Sequence, residues 1–258
     1  MMDSAVELAS VLAAPLVAGL LALLTHVPLG EQVLRRGIVF IDLAIAQIAA
    51  LGVLAAGSGG GVDSSAAWWA GSLAALAGAL LVAWLARRWP DQREALIGLV
   101  YVGGAAAAML WVSADPHGAQ KLRALLAGDI LWVRLESLWP LAAGSALFTL
   151  MSYLRPAALD HDAVFYPTFA LLVSLSVPIL GLYLVFAALI APALGASALR
   201  RAGHPHARRA AYAVGVVGLL AGLAGSFWLD YPSGPGVVLA LIATATVWGA
   251  LAAVRLRG

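Results

Sequence analysis

The chain has 258 residues, of which 63% are hydrophobic and only 11% charged, with a mean hydropathy of +0.95. That leaves too little polar surface for a soluble domain, so lipid must be the solvent for most of the chain. There is no cysteine, which excludes a disulfide framework, a thiolate metal site and a cysteine nucleophile. The formal net charge of +2 comes from arginines at segment ends, a membrane-orienting pattern rather than a nucleic-acid surface.

Runs with few or no charges predict the spans, since about 20 helical residues cross a ~30 Å hydrocarbon core. The first covers residues 8–25. The preceding heptapeptide lacks the basic start of a secretory signal and no cleavage site is evident, so this segment reads as a retained span. His26 follows at its inner end, as a capping or interfacial residue. The second span, 37–56, carries Asp42 and Gln47 inside an apolar run. A carboxylate there costs a few kcal/mol unless it faces protein or water, so Asp42 marks a polar path or, alternatively, a hydrogen bond to a neighbouring helix. A glycine-rich turn at 57–61 leads to spans 66–86 and 95–114.

The next loop holds Asp115-Pro116-His117-Gly118, Lys121 and Asp129, a set that reads either as a solvated turn or as a metal or partner contact. Span 130–154 follows, with Arg134 and Glu136 near its start. Asp160-His161-Asp162 looks like a metal cluster but reads better as a solvated loop. The uncharged run 163–199 is 37 residues long, about 55 Å as a straight helix and too long for one crossing. Pro178 and Gly181 offer a break near its middle. Spans 210–229 and 235–254 complete the chain. Gly218 and Gly222 form a Gly-x-x-x-Gly packing pair, and Asp230 sits between the two spans as a turn cap or docking contact.

Arginine placement fixes the expected topology. Arg35, Arg36, Arg87, Arg88, Arg93, Arg155, Arg200, Arg201, Arg208, Arg209, Arg255 and Arg257 make up 12 of the 15 basic residues. All fall on one side if the amino terminus is outside, the carboxyl terminus is cytoplasmic and the 163–199 run crosses twice. The expectation is an all-α polytopic protein with nine transmembrane helices in one domain over residues 1–258. Eight spans with a re-entrant pair preserve the same sidedness.

Four stretches carry a resemblance. They are Val27-Pro28-Leu29-Gly30 with Arg35-Arg36 before the Asp42 helix; Glu94-Ala95-Leu96-Ile97-Gly98; Leu126-Ala127-Gly128-Asp129-Ile130-Leu131; and Ala187-Ala188-Leu189-Ile190-Ala191-Pro192-Ala193, continuing through the loop at 199–209 to Asp230-Tyr231-Pro232-Ser233-Gly234-Pro235. Together, in this order, they resemble the zinc/manganese/iron class of bacterial ABC importer permeases.

The resemblance implies a homodimeric inner-membrane permease that holds no permanent cofactor and passes a divalent metal ion. Two cytoplasmic ATPase subunits would bind ATP, and an extracytoplasmic metal-binding protein would deliver the cargo. It also implies a Pro-Leu-Gly turn before the second helix. Arg200, Arg201, His204, Arg208 and Arg209 would form the ATPase-coupling loop, which positive-inside anchoring explains as well. Asp115, His117, Asp129 and Asp230 become candidate outside contacts for metal or binding protein. Asp42 and Gln47 become the translocation site, with a departure. The family's helix usually carries Asp and His four apart, one turn apart on one face. Aligned on Gly52, those positions are Leu43 and Gln47 here, and Asp42 lies five residues from Gln47.

The chain contains no Gly-rich loop ending in Gly-Lys-Ser/Thr, so an ATPase must be a separate chain. No Gly-x-Ser-x-Gly or His-Glu-x-x-His occurs, which argues against an intramembrane enzyme. The absence of an internal repeat gives no support to an inverted-repeat secondary transporter. Rival readings are an Asp42-dependent secondary transporter and a permease for a chelated metal such as a siderophore or corrinoid.

Overall fold

A computed structural model describes residues 2–56, 65–113, 115, 118–128 and 130–255. The described residues form helices and no strand. In chain order these are α1 (Met2–Arg36), α2 (Ile41–Ala56), α3 (Ser65–Arg88), α4 (Arg93–Val112), α5 (Gly118–Ala127), α6 (Trp139–Leu154), α7 (Asp162–Leu180), α8 (Leu182–Gly195), α9 (Ser197–Arg201), α10 (Ala207–Leu229) and α11 (Ser233–Arg255). Short 3-10 turns precede α4, α6 and α7.

The all-helical expectation is met, and each apolar run contains a helix. Among the described residues seven helices are long and apolar enough to cross a membrane, whereas α2 and α8 are not. With 16 and 14 residues they reach only about 24 and 21 Å. The shortening has local causes. Gly37, at φ +62°, ends α1 and leaves a turn over 37–40, closed by Ile38 N–H to the Val33 carbonyl. Gly181, at φ +81°, divides α7 from α8, while Pro178 stays inside α7. The Pro-Leu-Gly turn is not there either. Pro28 is interior to α1, and its missing N–H leaves the Leu24 carbonyl without a helical donor. The Tyr212 hydroxyl of α10 supplies one at 3.1 Å.

α7 and α8 form the buried centre, with Phe165, Phe169, Leu172, Leu180 and Leu189 all enclosed. α2 packs against α3 and α4, α8 against α1 and α11, and α10 against α11. The Gly218/Gly222 pair does the expected packing, since an added Cβ at Gly218 would lie 2.9 Å from the Leu241 Cα.

Ion pairs gather the arginines at one end. Arg35 meets Asp160 at 3.3 Å, Arg36 pairs with Asp162, and Arg87 reaches Asp162 at 3.8 Å. Arg200 and Arg208 meet Glu31 at 3.1 and 2.8 Å. Both ends of the 163–199 run are therefore tied to the last two turns of α1, and α7–α8 is a hairpin that returns to its starting end. Exposed Trp84 and Trp89 ring this basic end, and Trp69, Trp111, Trp132, Trp139 and Trp228 the opposite one. Tryptophan belts of this kind mark the two lipid–water interfaces.

Candidate functional site

Asp42 lies in the first turn of α2 and is fully buried. Its Oδ1 accepts from the Leu43 N–H at 2.8 Å, while Oδ2 has no hydrogen-bond partner. Gln47 is buried as well, and its Oε1 also lacks a donor. An acceptor of this kind is an anomaly in a folded interior and an opening for a cation or water. The structure does not bring the two side chains onto one face. α2 is an unbroken α-helix, so residues five apart point about 140° from each other. Gln47 looks toward α4, where Gly104 leaves room beside its Cβ. Among the described residues no group of three His, Asp or Glu side chains is arranged to hold a metal.

The four sequence stretches meet in space. Gly30 presses against the Leu189 backbone, joining the first to the fourth. Glu94 of the second accepts from the Val39 N–H, just before α2. In the third, an added Cβ at Gly128, which sits at φ +61°, would lie 2.6 Å from the Gly181 nitrogen. Leu131 N–H donates to the Ser233 hydroxyl at 3.3 Å, joining the third to the fourth at the end opposite the arginines.

Several residues are placed differently from the sequence reading. His26 is not interfacial. It is completely buried within α1, with Nδ1 2.9 Å from both the Ala22 carbonyl and the Thr25 hydroxyl. Asp160 and Asp162 are not a merely solvated loop, since they anchor Gln32, Arg35, Arg36 and Arg87. At the opposite end Asp115 pairs with Lys121 at 2.7 Å. Asp230 is, as the turn-cap reading has it, the exposed, left-handed cap that ends α10. Arg134 and Glu136 are exposed beside a 3-10 turn. His117 and Asp129 lie outside the described residues.

The arginine loop is short and exposed. Arg201 donates to Ser197 at 3.2 Å, Arg209 is exposed, and His206 N–H donates to His204 Nδ1. Arg200 and Arg208 turn inward to Glu31, which sequence reasoning missed. The available signal was an acid one residue after Gly30 on the arginine-rich side, although its partners lie 169 and 177 residues away.

Fold and site together define a polytopic helical protein with a buried acidic residue near one end and a basic loop at that same end. The ABC 3 transport family matches residues 8–161 and 161–252, and the chain belongs to that family. This is the metal-importer permease family that the four stretches resemble. A solved structure described as PsaBC from Streptococcus pneumoniae in complex with Fab is similar in fold, with a TM-score of 0.72 over 96% of this chain and 95% of that one at 16% identity. No curated protein matches the sequence significantly.

Proposed function

We propose that this chain is the inner-membrane permease of an importer for divalent metal ions, zinc first and then manganese or iron. Two copies assemble with two cytoplasmic ATPase subunits, and an extracytoplasmic binding protein supplies the cargo. The basic end is cytoplasmic, because arginines collect on that side of a membrane. ATP is bound and hydrolysed on the partner chains, whose closure moves the loop at 199–209.

The observation that carries the metal reading is the unpartnered, buried Oδ2 of Asp42 in a helix whose only other polar side chain is Gln47. A hard or borderline divalent cation accepts such oxygens, and exchangeable oxygen ligands let it leave again. Asp42 is enclosed by its own chain. Opening must expose Oδ2, with Gln47 offering a second oxygen further along α2.

The test is metal accumulation in cells limited for zinc, manganese or iron in turn, with wild-type protein or Asp42→Ala at equal expression. Loss of uptake with retained ATPase co-purification is the expected result. Normal accumulation in the variant removes Asp42 from the path.

A further inference from the structure

The geometry points to Glu31 as the clasp that passes movement of the arginine loop into the membrane helices. This rests on the permease reading above and adds a positioning residue to it.

Glu31 is buried, and its two carboxylate oxygens are divided between two arginines on opposite sides of the loop. Oε1 accepts from Arg200 Nη2 at 3.1 Å, at the end of α9. Oε2 accepts from Arg208 Nε at 2.9 Å, in the first turn of α10. One carboxylate therefore closes the loop from both ends. Charge-assisted bonds of this kind are strong and directional, and the low exposure of the acid shields them from salt. Arg200 also donates to the Ala193 carbonyl at 3.3 Å, which links the same clasp to the end of α8. Arg208 remains 64% exposed, so the outer end of the clasp is within reach of a docked partner.

The inner end is built to carry load. Gly30, one residue before Glu31, lies against the Leu189 backbone with no side chain between them. One turn further along α1, Arg35 and Arg36 hold Asp160 and Asp162, and Arg87 joins the second of these. The turn at 37–40 then leads directly to Asp42. A displacement of α9 or α10 must pull Glu31, and through α1 it reaches α8, α7 and the first turn of α2. Packed helices shift as units rather than deforming continuously, so a contact that holds both ends of the loop passes the step on together with the helix packing around it.

The experiment uses the assembled transporter in liposomes, reading metal uptake and ATP hydrolysis from the same vesicles. Glu31→Gln keeps the shape and removes the charge. It is expected to lower the metal moved per ATP hydrolysed at least tenfold while hydrolysis and subunit co-purification stay within about twofold. Arg208→Gln, at the exposed outer end of the clasp, is expected to lower the same ratio in the same direction, with co-purification read alongside it. Adding it to Glu31→Gln should cause little further loss.

An unchanged ratio in Glu31→Gln overturns the proposal. A parallel fall in hydrolysis, uptake and assembled protein also overturns it, because that is what a purely structural contact would do. Wild-type vesicles that move no metal at all would instead sink the permease reading itself.

Discussion

Gly30 lies so close to Leu189 that an added methyl would overlap the Leu189 carbonyl oxygen and stand 2.9 Å from its carbon. The obstacle is backbone, so no rotamer change relieves it. Gly30→Ala should destabilise the α1–α8 contact by about 1–3 kcal/mol, the usual cost of overpacking. Gly98, which has open space around its Cβ position, is the control. Gly98→Ala should be neutral or stabilising by up to ~1 kcal/mol, as an alanine in a helix interior is. Thermal unfolding in detergent, followed by tryptophan fluorescence, compares the two. Equal melting temperatures would mean that α1 and α8 are not in this contact.

The α7–α8 hairpin depends on Gly181 for two reasons. Its φ of +81° is unfavourable for any residue with a Cβ, and an added Cβ would stand 2.6 Å from the Ala127 carbonyl carbon. Gly181→Ala should therefore cost more than Gly30→Ala and release α5 from the hairpin. Faster protease cleavage within α5 in inside-out and right-side-out vesicles is the measurement. Cleavage must rise on one face only, the face opposite the arginines.

Much of this architecture was legible because lipid imposes a simple rule: uncharged runs become helices and arginines collect at one end. The return of the 163–199 run could be read from the same charges. The break at Gly181 was legible in the same run, whereas the start of α2 was less so, since Gly37 sets it through a backbone angle that composition does not report. The contacts of Asp160, Asp162 and Glu31 were invisible for a different reason. Each depends on a partner more than 120 residues away, and no local pattern encodes it. The Asp42–Gln47 mismatch, by contrast, followed from spacing alone.

Tyr212 and Pro28 should be energetically coupled. Pro28 removes the donor for the Leu24 carbonyl, and the Tyr212 hydroxyl replaces it at 3.1 Å. No backbone N–H replaces it, so Tyr212→Phe should cost about 0.5–1.5 kcal/mol. In a Pro28→Ala background the helix supplies its own N–H, and the same change should cost almost nothing. A double-mutant cycle on melting temperature reads the difference. Equal costs in the two backgrounds would show that the hydroxyl is not the substitute donor.

Asp160 contributes a pH dependence outside the spans. A hydrogen bond from Gln32 and the charges of Arg35 and Arg36 hold its pKa below the ordinary 3.8 despite some desolvation. A carboxyl shifted in this direction stabilises the fold above the ordinary value and loses that contribution as pH falls through its own pKa. Asp160→Asn should therefore lower the melting temperature slightly at pH 7. The gap to wild type should shrink once pH drops below about 3.8. A gap that persists in acid would assign the loss to shape rather than charge.

The altered ligand spacing makes the sharpest functional prediction. Since α2 is continuous, Gln47→His alone places an imidazole about 140° from Asp42, where no chelate can form. Leu43→Asp combined with Gln47→His sets a carboxylate and an imidazole four apart, one turn from each other on one face. Imidazole binds zinc and its neighbours better than an amide oxygen does. The double variant should therefore bind zinc or manganese in detergent at least tenfold more tightly than either single variant, equivalent to about 1.4 kcal/mol. Its turnover should be slower, because a tighter site holds the ion longer. Calorimetric titration of purified protein and initial rates in vesicles test the two halves separately. If Gln47→His alone binds as tightly as the pair, α2 must unwind between residues 42 and 47 when metal arrives.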